Sequence, residues 1–422
     1  MDRRWSEQIA ERYGLQMPDD LRAWFDDELW NAPGGAEFNQ PLTPTQILAP
    51  EPGTIWAGFM LPDTLPLIGN QYGDWLCARV AADGSIAEII HWTHIGGDWI
   101  PYGRNLAEAL LYDAVSQRLY PRRPEFDEPD PPASELFRFA EWARAWLARD
   151  GHSLPRFWAE EPAVDPLPSF VATGVARFAV RRDLILRQLD TKLKTVSNSQ
   201  IATQLGIAWE PDFVSWLFDT SLMPLARREQ LSRHFQISAD ELTHQDWSAA
   251  EAEALRVLDE RDDLGWASDI AGWAAERRGD IPAAIQHYLT GVRPSLFADN
   301  TLRFRTHWFA DGYGKFSAAR LFELREQLDA PARNDAYLQL FLANDNDSLR
   351  TRIRDYWLAR AHAAQRERRF ADAYRACYSA GWDMGLQNTR DFAAIFDGLV
   401  ESAAEAGQVA LSRIAALHRE NL

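Results

Sequence analysis

The sequence predicts an α+β N-terminal domain, an antiparallel sheet with flanking helices, followed by an all-α helical-hairpin array. Three observations carry this. Between residues 54 and 102, short apolar stretches alternate with Gly/Asp turns, as strands of a meander do. Before them, and nearly everywhere past residue 134, apolar residues recur at three- and four-residue spacing, the period of an amphipathic helix. Between the two regimes stands "YPRRPEFDEPDPPAS", residues 120–134. It has five prolines in the thirteen residues up to Pro132, and it reads as an extended acidic linker.

The elements follow in order. "RRWSEQIAERYGL" and "MPDDLRAWFDDELW" read as two short helices, with Pro18 and Asp19 starting the second. "TIWAGFM", residues 54–60, is apolar and aromatic and reads as a strand. "DWLCARV" and "SIAEIIHW" read as strands joined at "AADG", where Asp83 and Gly84 tolerate the positive φ of a tight hairpin turn. "DWIPY" is a further short strand, and "NLAEALLYDAVSQRL" a closing amphipathic helix. The expected division is a domain at 1–119, the linker at 120–134, a helical region at 135–245 and a helical array at 246–422.

Within that array, "DIAGWAAERRGDIPAAIQHYLTGVRP" resembles a tetratricopeptide-type unit. Gly272 takes the small position of its first helix, Gly279 the turn, and Ala284 and Tyr288 the second helix. Thirty-four residues on, Ala318 and Phe322 match Ala284 and Tyr288. "YWLARAHAAQRERRFADAYRACYSAGW" repeats the pattern with Trp357, Ala361, Ala373 and Ala380. The 55-residue step from Ala318 to Ala373 breaks the register, so an irregular array is expected.

Charge narrows the function. The chain has 62 acidic and 44 basic residues, a net charge of −18, and only three of the basic residues are lysines. Residues 1–133 hold 21 acidic and nine basic residues, a net −12, so two thirds of the excess lies in the first third of the chain. Such a domain repels phosphate backbones and attracts basic proteins. Direct nucleic-acid binding is therefore not expected, and a basic protein partner is. No apolar run approaches a membrane span, the start does not read as a signal peptide, and Cys77 and Cys377 form no disulfide framework. These features predict a cytoplasmic protein with no membrane association.

The stretch "GNQYGDWLCARVAADGSIAEIIHWTHIGGDW", residues 69–99, gathers Asp74, His91, His94 and Asp98. A metal reading takes His91, His94 and Asp98. Side chains three apart on a strand point to opposite faces, so the spacing predicts no metal site there. An acid–base reading takes Asp74 with Asp98 or Glu88, or Asp74 with His91 and Asp98 in a hydrolase. Both aspartates stand in Gly-Asp-Trp triplets just before a strand, where an aspartate caps turn amides. Phosphate-binding loops, nucleophile elbows and dinucleotide fingerprints are absent from the sequence. One helix-turn-helix pattern occurs, at 197–219, with Ala202 and Gly206 at the expected spacing. Its second helix offers Glu210, Asp212 and Asp219 and no Arg or Lys to read bases. The sequence thus predicts no catalytic residue, no cofactor and no metal.

A resemblance sharpens this. "WSEQIAERYGLQMPDDLRAWF" is similar to the start of the SMI1/KNR4 (SUKH) family, with Met17, Pro18, Leu21, Trp24 and Phe25 at its motif positions. "LPLIGNQYGDWLCARVAADGSIAEIIHW" is similar to the family's second block, through Gly73, Asp74, Trp75, Leu76, Cys77, His91 and Trp92. "GDWIPYGRNLAEALLYDAV" is similar to its last strand and closing helix, with Trp99 and Leu110. The likeness covers residues 3–117. The loop at 31–53 is longer and richer in proline than the family pattern, and the glycine-rich approach to Gly73-Asp74 is reduced.

The resemblance implies a non-enzymatic binding fold. Its bacterial members include immunity proteins that neutralise toxins, often nucleases, and its fungal members resemble signalling scaffolds. The expectation is an immunity-type inhibitor of a basic toxin domain, with Asp74, Trp75, Trp92, Asp98 and Trp99 as partner-binding residues. The alternatives are a regulatory scaffold docking through the helical array, and an unrecognised hydrolase.

Overall fold

A computed structural model describes residues 4–119, 137–149, 165–191, 248–299, 315–342 and 348–422, with a few isolated positions between them. The expected linker at 120–134 and the helix-turn-helix pattern at 197–219 lie outside the described residues. The described chain is an antiparallel five-stranded sheet with flanking helices, followed by many helices. It divides into two compact units. The first comprises residues 1–180, 357–381 and 388–422; the second comprises 181–356 and 382–387. The expected array at 246–422 is therefore shared between them, and its C-terminal helices belong with the sheet.

In the first unit, β1 (Gln40–Pro41), β2 (Thr64–Gly69), β3 (Trp75–Val80), β4 (Ile86–Trp92) and β5 (Trp99–Gly103) form an antiparallel meander in sequence order. The β3–β4 turn is as expected: Gly84 has φ +87°, and Asp83 Oδ1 accepts the Ser85 amide at 2.9 Å. The strand expected at 54–60 is instead a run of turns, with Gly58 at φ +84°. The strand lies ten residues on, at Thr64–Gly69, and is buried at every position. Such a strand shows no alternation, because both of its faces are covered.

Pairing sorts the side chains by face. Gly69 pairs with Trp75, Trp75 with Trp92, and Trp92 with Trp99. The three tryptophans thus form one row on one face, and the Trp75 ring lies over Gly69, where a Cβ would stand 3.1 Å away. Arg79, on the same face, stacks its guanidinium 4.9 Å from the Trp99 ring and bonds Asp63 and Glu88 at 3.1 Å each. Leu76, His91 and Ile100 pair on the opposite face.

Five helices serve the sheet from the N-terminal side. These are α1 (Trp5–Tyr13), α2 (Asp19–Asp26), α3 (Pro44–Leu48), α4 (Leu106–Leu119) and α5 (Arg138–Arg149). Asp20, buried in α2, accepts the amides of Leu106 and Ala107 at 2.7 and 3.2 Å and so caps α4. Contrary to expectation, α4 is not amphipathic in its first ten residues: positions 106–115 are all buried, between the sheet and α5. Two further helices follow, α6 (Leu167–Thr173) and α7 (Arg177–Thr191).

The tryptophan side of the sheet is closed by residues from far along the chain. Helix α14 (Leu349–Arg366) comes first, and α15 (Phe370–Trp382), α16 (Phe392–Glu405) and α17 (Val409–Glu420) supply the side chains. Tyr374 is buried beside Asp63 and Arg79. Phe392 packs on Gly58 and Ala410 on Gly84. His418 is fully buried, donates Nε2–H to the Thr64 carbonyl at 2.9 Å, and stacks on Phe396. Burial of that imidazole lowers its pKa to about 4.

The second unit is helical. It includes α8 (Ser248–Leu258), α9 (Gly265–Arg277), α10 (Ile281–Gly291), α11 (Phe316–Glu323), α12 (Ala330–Arg333) and α13 (Ala336–Leu342). Helices α9 and α10 form the expected hairpin: Gly272 faces the Tyr288 ring, where a Cβ would stand 2.5 Å away. Lys315, buried, donates to the carbonyls of Val292 and Pro294 at 2.9 and 2.7 Å and pairs with Asp383, tying three segments together.

Two outcomes are expected. Residues 1–119 expressed alone should lack slowly exchanging amides in β2, because one face of the sheet is stripped; protection equal to that of the full chain would contradict this layering. His418 is neutral in the fold and titrates near 6.5 when unfolded, so stability is present at neutral pH and is lost as pH falls from about 6.5 to 4. The loss approaches roughly 3 kcal/mol, and urea unfolding should show it removed in His418→Gln.

Candidate functional site

The β2–β3 and β4–β5 turns lie at the same end of the meander. In the first, Asn70 Oδ1 accepts the amides of Tyr72 and Asp74, each at 2.9 Å, an Asx turn closed by Gly73 at φ +88°. This fixes Asp74 at the entry of β3. Asp74 Oδ1 then accepts both the amide and the Nδ1–H of His94 at 2.9 Å, joining the two turns. Asp74 Oδ2 faces His91 Nε2 at 3.7 Å. Burial by itself would raise the Asp74 pKa, but His91, His94 and the His94 amide outweigh it and hold it at about 2.

A third segment completes the group. The loop at 32–39 is held by Asp113 of α4, whose carboxylate accepts the amides of Ala36, Glu37 and Phe38 at 3.0–3.4 Å. That loop brings Glu37 to Asn70, whose Nδ2 donates to Glu37 Oε1 at 3.1 Å. The His91 ring is set edge-on between Phe38 and Tyr102, at centroid distances of 4.9 and 5.5 Å. Burial, with the Glu37 charge nearby, lifts the Asp113 pKa to about 7.

The sequence placed His91 and His94 on opposite faces. The structure brings both to Asp74, because β4 ends at Trp92 and the chain then turns, so the alternation of a strand no longer applies to His94. Glu37, Asp74 and His91 are the residues able to hold a metal: among the described residues their ligand atoms form a group within 4.8 Å of one another. Asp98 does not join them. It is buried at the start of β5, where its carbonyl accepts the Thr93 amide at 2.8 Å.

Of the expected partner-binding residues, Trp92, Trp99 and Asp98 are at most 2% exposed and pack inside the unit, whereas Asp74 and Trp75 are half-buried. The exposed apolar side chains at this end are others: Trp56, Phe59, Tyr72 and Ile95, at 40, 46, 40 and 70% exposure. Tyr72 stands in the β2–β3 turn and Ile95 in the β4–β5 turn. Phe59 is tied to the second by its carbonyl, which accepts Trp92 Nε1–H at 3.2 Å, and by its closeness to Gly97. Trp56 lies against Trp92, 6.1 Å between centroids. Sequence reasoning missed these four because it put Trp56 and Phe59 in a strand and gave turn residues only polar roles. The signal present was an isoleucine between His94 and Gly96-Gly97, a position that no strand can bury.

This end of the sheet thus carries both a polar group, Glu37, Asn70, Asp74, His91 and His94, and four exposed apolar side chains, with Trp56 against Trp92 on the face opposite that of His91. The chain matches none of the known protein-family models, curated proteins or solved structures with which it was compared.

Asp74→Ala leaves the His94 amide without its acceptor and should cost about 1–3 kcal/mol in urea unfolding; an unchanged midpoint would mean that the turns are not coupled. The Asp113 pKa is raised in the fold, so its contribution is full below about pH 4 and is lost as pH rises through about 7. Asp113→Asn should remove this slope, which runs opposite to that of His418.

Proposed function

We propose that this chain is a non-catalytic binding protein that captures a basic protein partner with the rim end of its sheet, in the manner of an immunity-type inhibitor of a toxin. The observation that carries this is the gathering of Trp56, Phe59, Tyr72 and Ile95 at one end of the most acidic part of the chain. Single exposed apolar residues are ordinary on protein surfaces. Four large ones on adjoining turns are the composition of an interface core. The net charge of −12 over residues 1–133 supports steering of a cationic partner to them. The resemblance of residues 3–117 to the SMI1/KNR4 family supports the immunity role within this class.

A second reading, a scaffold docking through its helices, draws on a different feature. Between α14 and α15 lies a cavity of about 580 Å³ lined by Trp357, Arg360, Arg369, Asp372 and Arg375 over an alanine floor. Three arginines against one aspartate suit an acidic segment of a partner rather than a basic one.

The test starts from affinity capture out of the native cell, with the partner identified and then purified. Association should slow at least about tenfold between low and physiological salt while dissociation changes little. Phe59→Ala or Ile95→Asp should cost roughly 2 kcal/mol of binding without lowering the melting temperature. Binding indifferent to these changes, but abolished in Arg360→Glu with Arg375→Glu, would put the scaffold reading first.

A further inference from the structure

We propose that Glu37, Asp74 and His91 form a binding site for a divalent transition-metal ion, with zinc the ion that their donor set fits best. The site does not depend on the partner-binding reading. It stands on three observations.

The first is convergence from separate segments. Glu37 comes from the loop pinned to Asp113, Asp74 from the entry of β3 and His91 from the end of β4. The Glu37 backbone, Asp74 Oδ1 and the His91 ring are each held by contacts of their own, and the forward oxygens of Glu37 and Asp74 meet only the Asn70 amide among the hydrogen bonds of the described residues. Asp113 grips the Glu37 amide, His94 occupies Asp74 Oδ1 and leaves Oδ2 forward, and Phe38 and Tyr102 clamp the His91 ring by its edges. Pre-set ligands with locked orientations are what a metal site requires.

The second is His91 Nε2. It is buried and has no hydrogen-bond partner among the described residues, yet it points at a carboxylate oxygen 3.7 Å away. A buried polar atom left without a hydrogen bond is rare. Two ligand atoms on a tetrahedral zinc stand about 3.4 Å apart, given bonds near 2.0–2.2 Å. The 3.7 Å gap is therefore close to ligand spacing and too long for a hydrogen bond.

The third is the occupant of the centre. Asn70 Nδ2 stands 3.1 Å from Glu37 Oε1 and 3.4 Å from Asp74 Oδ2, so two carboxylates share one neutral amide. A dication there would neutralise both and take the imidazole nitrogen as its third ligand, leaving a fourth position for water. The three ligand atoms already lie within 4.8 Å of one another, and the ion would displace the two Asn70 Nδ2 contacts while Oδ1 keeps the Tyr72 and Asp74 amides. The imidazole excludes magnesium and calcium as first choice, since those ions take oxygen ligands.

The experiment uses the full-length protein stripped with a chelator and titrated with zinc chloride by calorimetry, with melting curves beside it. One zinc per chain is expected, with a rise in melting temperature. His91→Ala and Glu37→Gln should each weaken zinc at least about tenfold. Asn70→Asp keeps the acceptor that holds the Tyr72 and Asp74 amides but replaces the competing amide with a carboxylate, so it should tighten zinc. His362→Ala, on another element, should bind as the parent does. If His91→Ala does not fold by near-ultraviolet circular dichroism, Glu37→Gln and Asn70→Asp decide. A folded parent that takes up no stoichiometric zinc overturns the proposal, as does zinc binding that is unchanged in Glu37→Gln and Asn70→Asp.

Discussion

Strand β2 is buried on both faces, and that requirement organises the first unit. A sheet strand with two apolar faces needs a layer on each side of it. Helix α4 covers one side of the sheet at β4 and β5, and the helices around Tyr374, Phe392, Ala410 and His418 cover the other side. The cost of failing to cover the second side is set by the tryptophan row, because Trp92 and Trp99 are large and almost wholly enclosed. Close approach is built in by small residues: Gly14 and Gly84 face Val409 and Ala410, and Gly58 faces Phe392.

Much of this was legible in the sequence, and the limits have physical causes. The hairpin at Asp83-Gly84, the helix start at Pro18-Asp19 and the closing helix after the last strand follow from local rules, and they hold, whereas β1 and α3 stand where no element was expected. The strand Thr64–Gly69 was overlooked because a doubly covered strand has no period, and Pro66 and Gly69 look like punctuation. Strand alternation misplaced His94 because it was extended two residues past the strand's end. The return of the C-terminal helices to the sheet was not legible at all. An amphipathic helix announces that it has a buried face and says nothing of what buries it.

The acidity of the N-terminal part has a structural use as well as a field. Asp20, Asp63, Asp98, Glu108 and Asp113 are buried. Asp20 caps α4 from α2, and Asp113 holds three successive amides of the loop that carries Glu37. These carboxylates take the place of backbone pairing in segments too short for a helix or a strand. The charge that a partner meets is therefore carried by fewer groups than the sequence total, chiefly those on the surface of α1, α2 and the turns. The apolar rim stands on turns, which is where recognition residues are ordinarily held.

The bond between His418 and Thr64 spans 354 residues. During synthesis at about 5–20 residues per second, some 20–70 s separate the emergence of β2 from that of the side chain that closes it. Over most of that interval the tryptophan face of the sheet lacks the cover of α15, α16 and α17. Such surfaces are what chaperones bind, and the slow formation of distant contacts lengthens their exposure further. The nascent chain thus passes through a stage with a half-built sheet whose aromatic side is open, and the completed unit can close only after translation has passed residue 418.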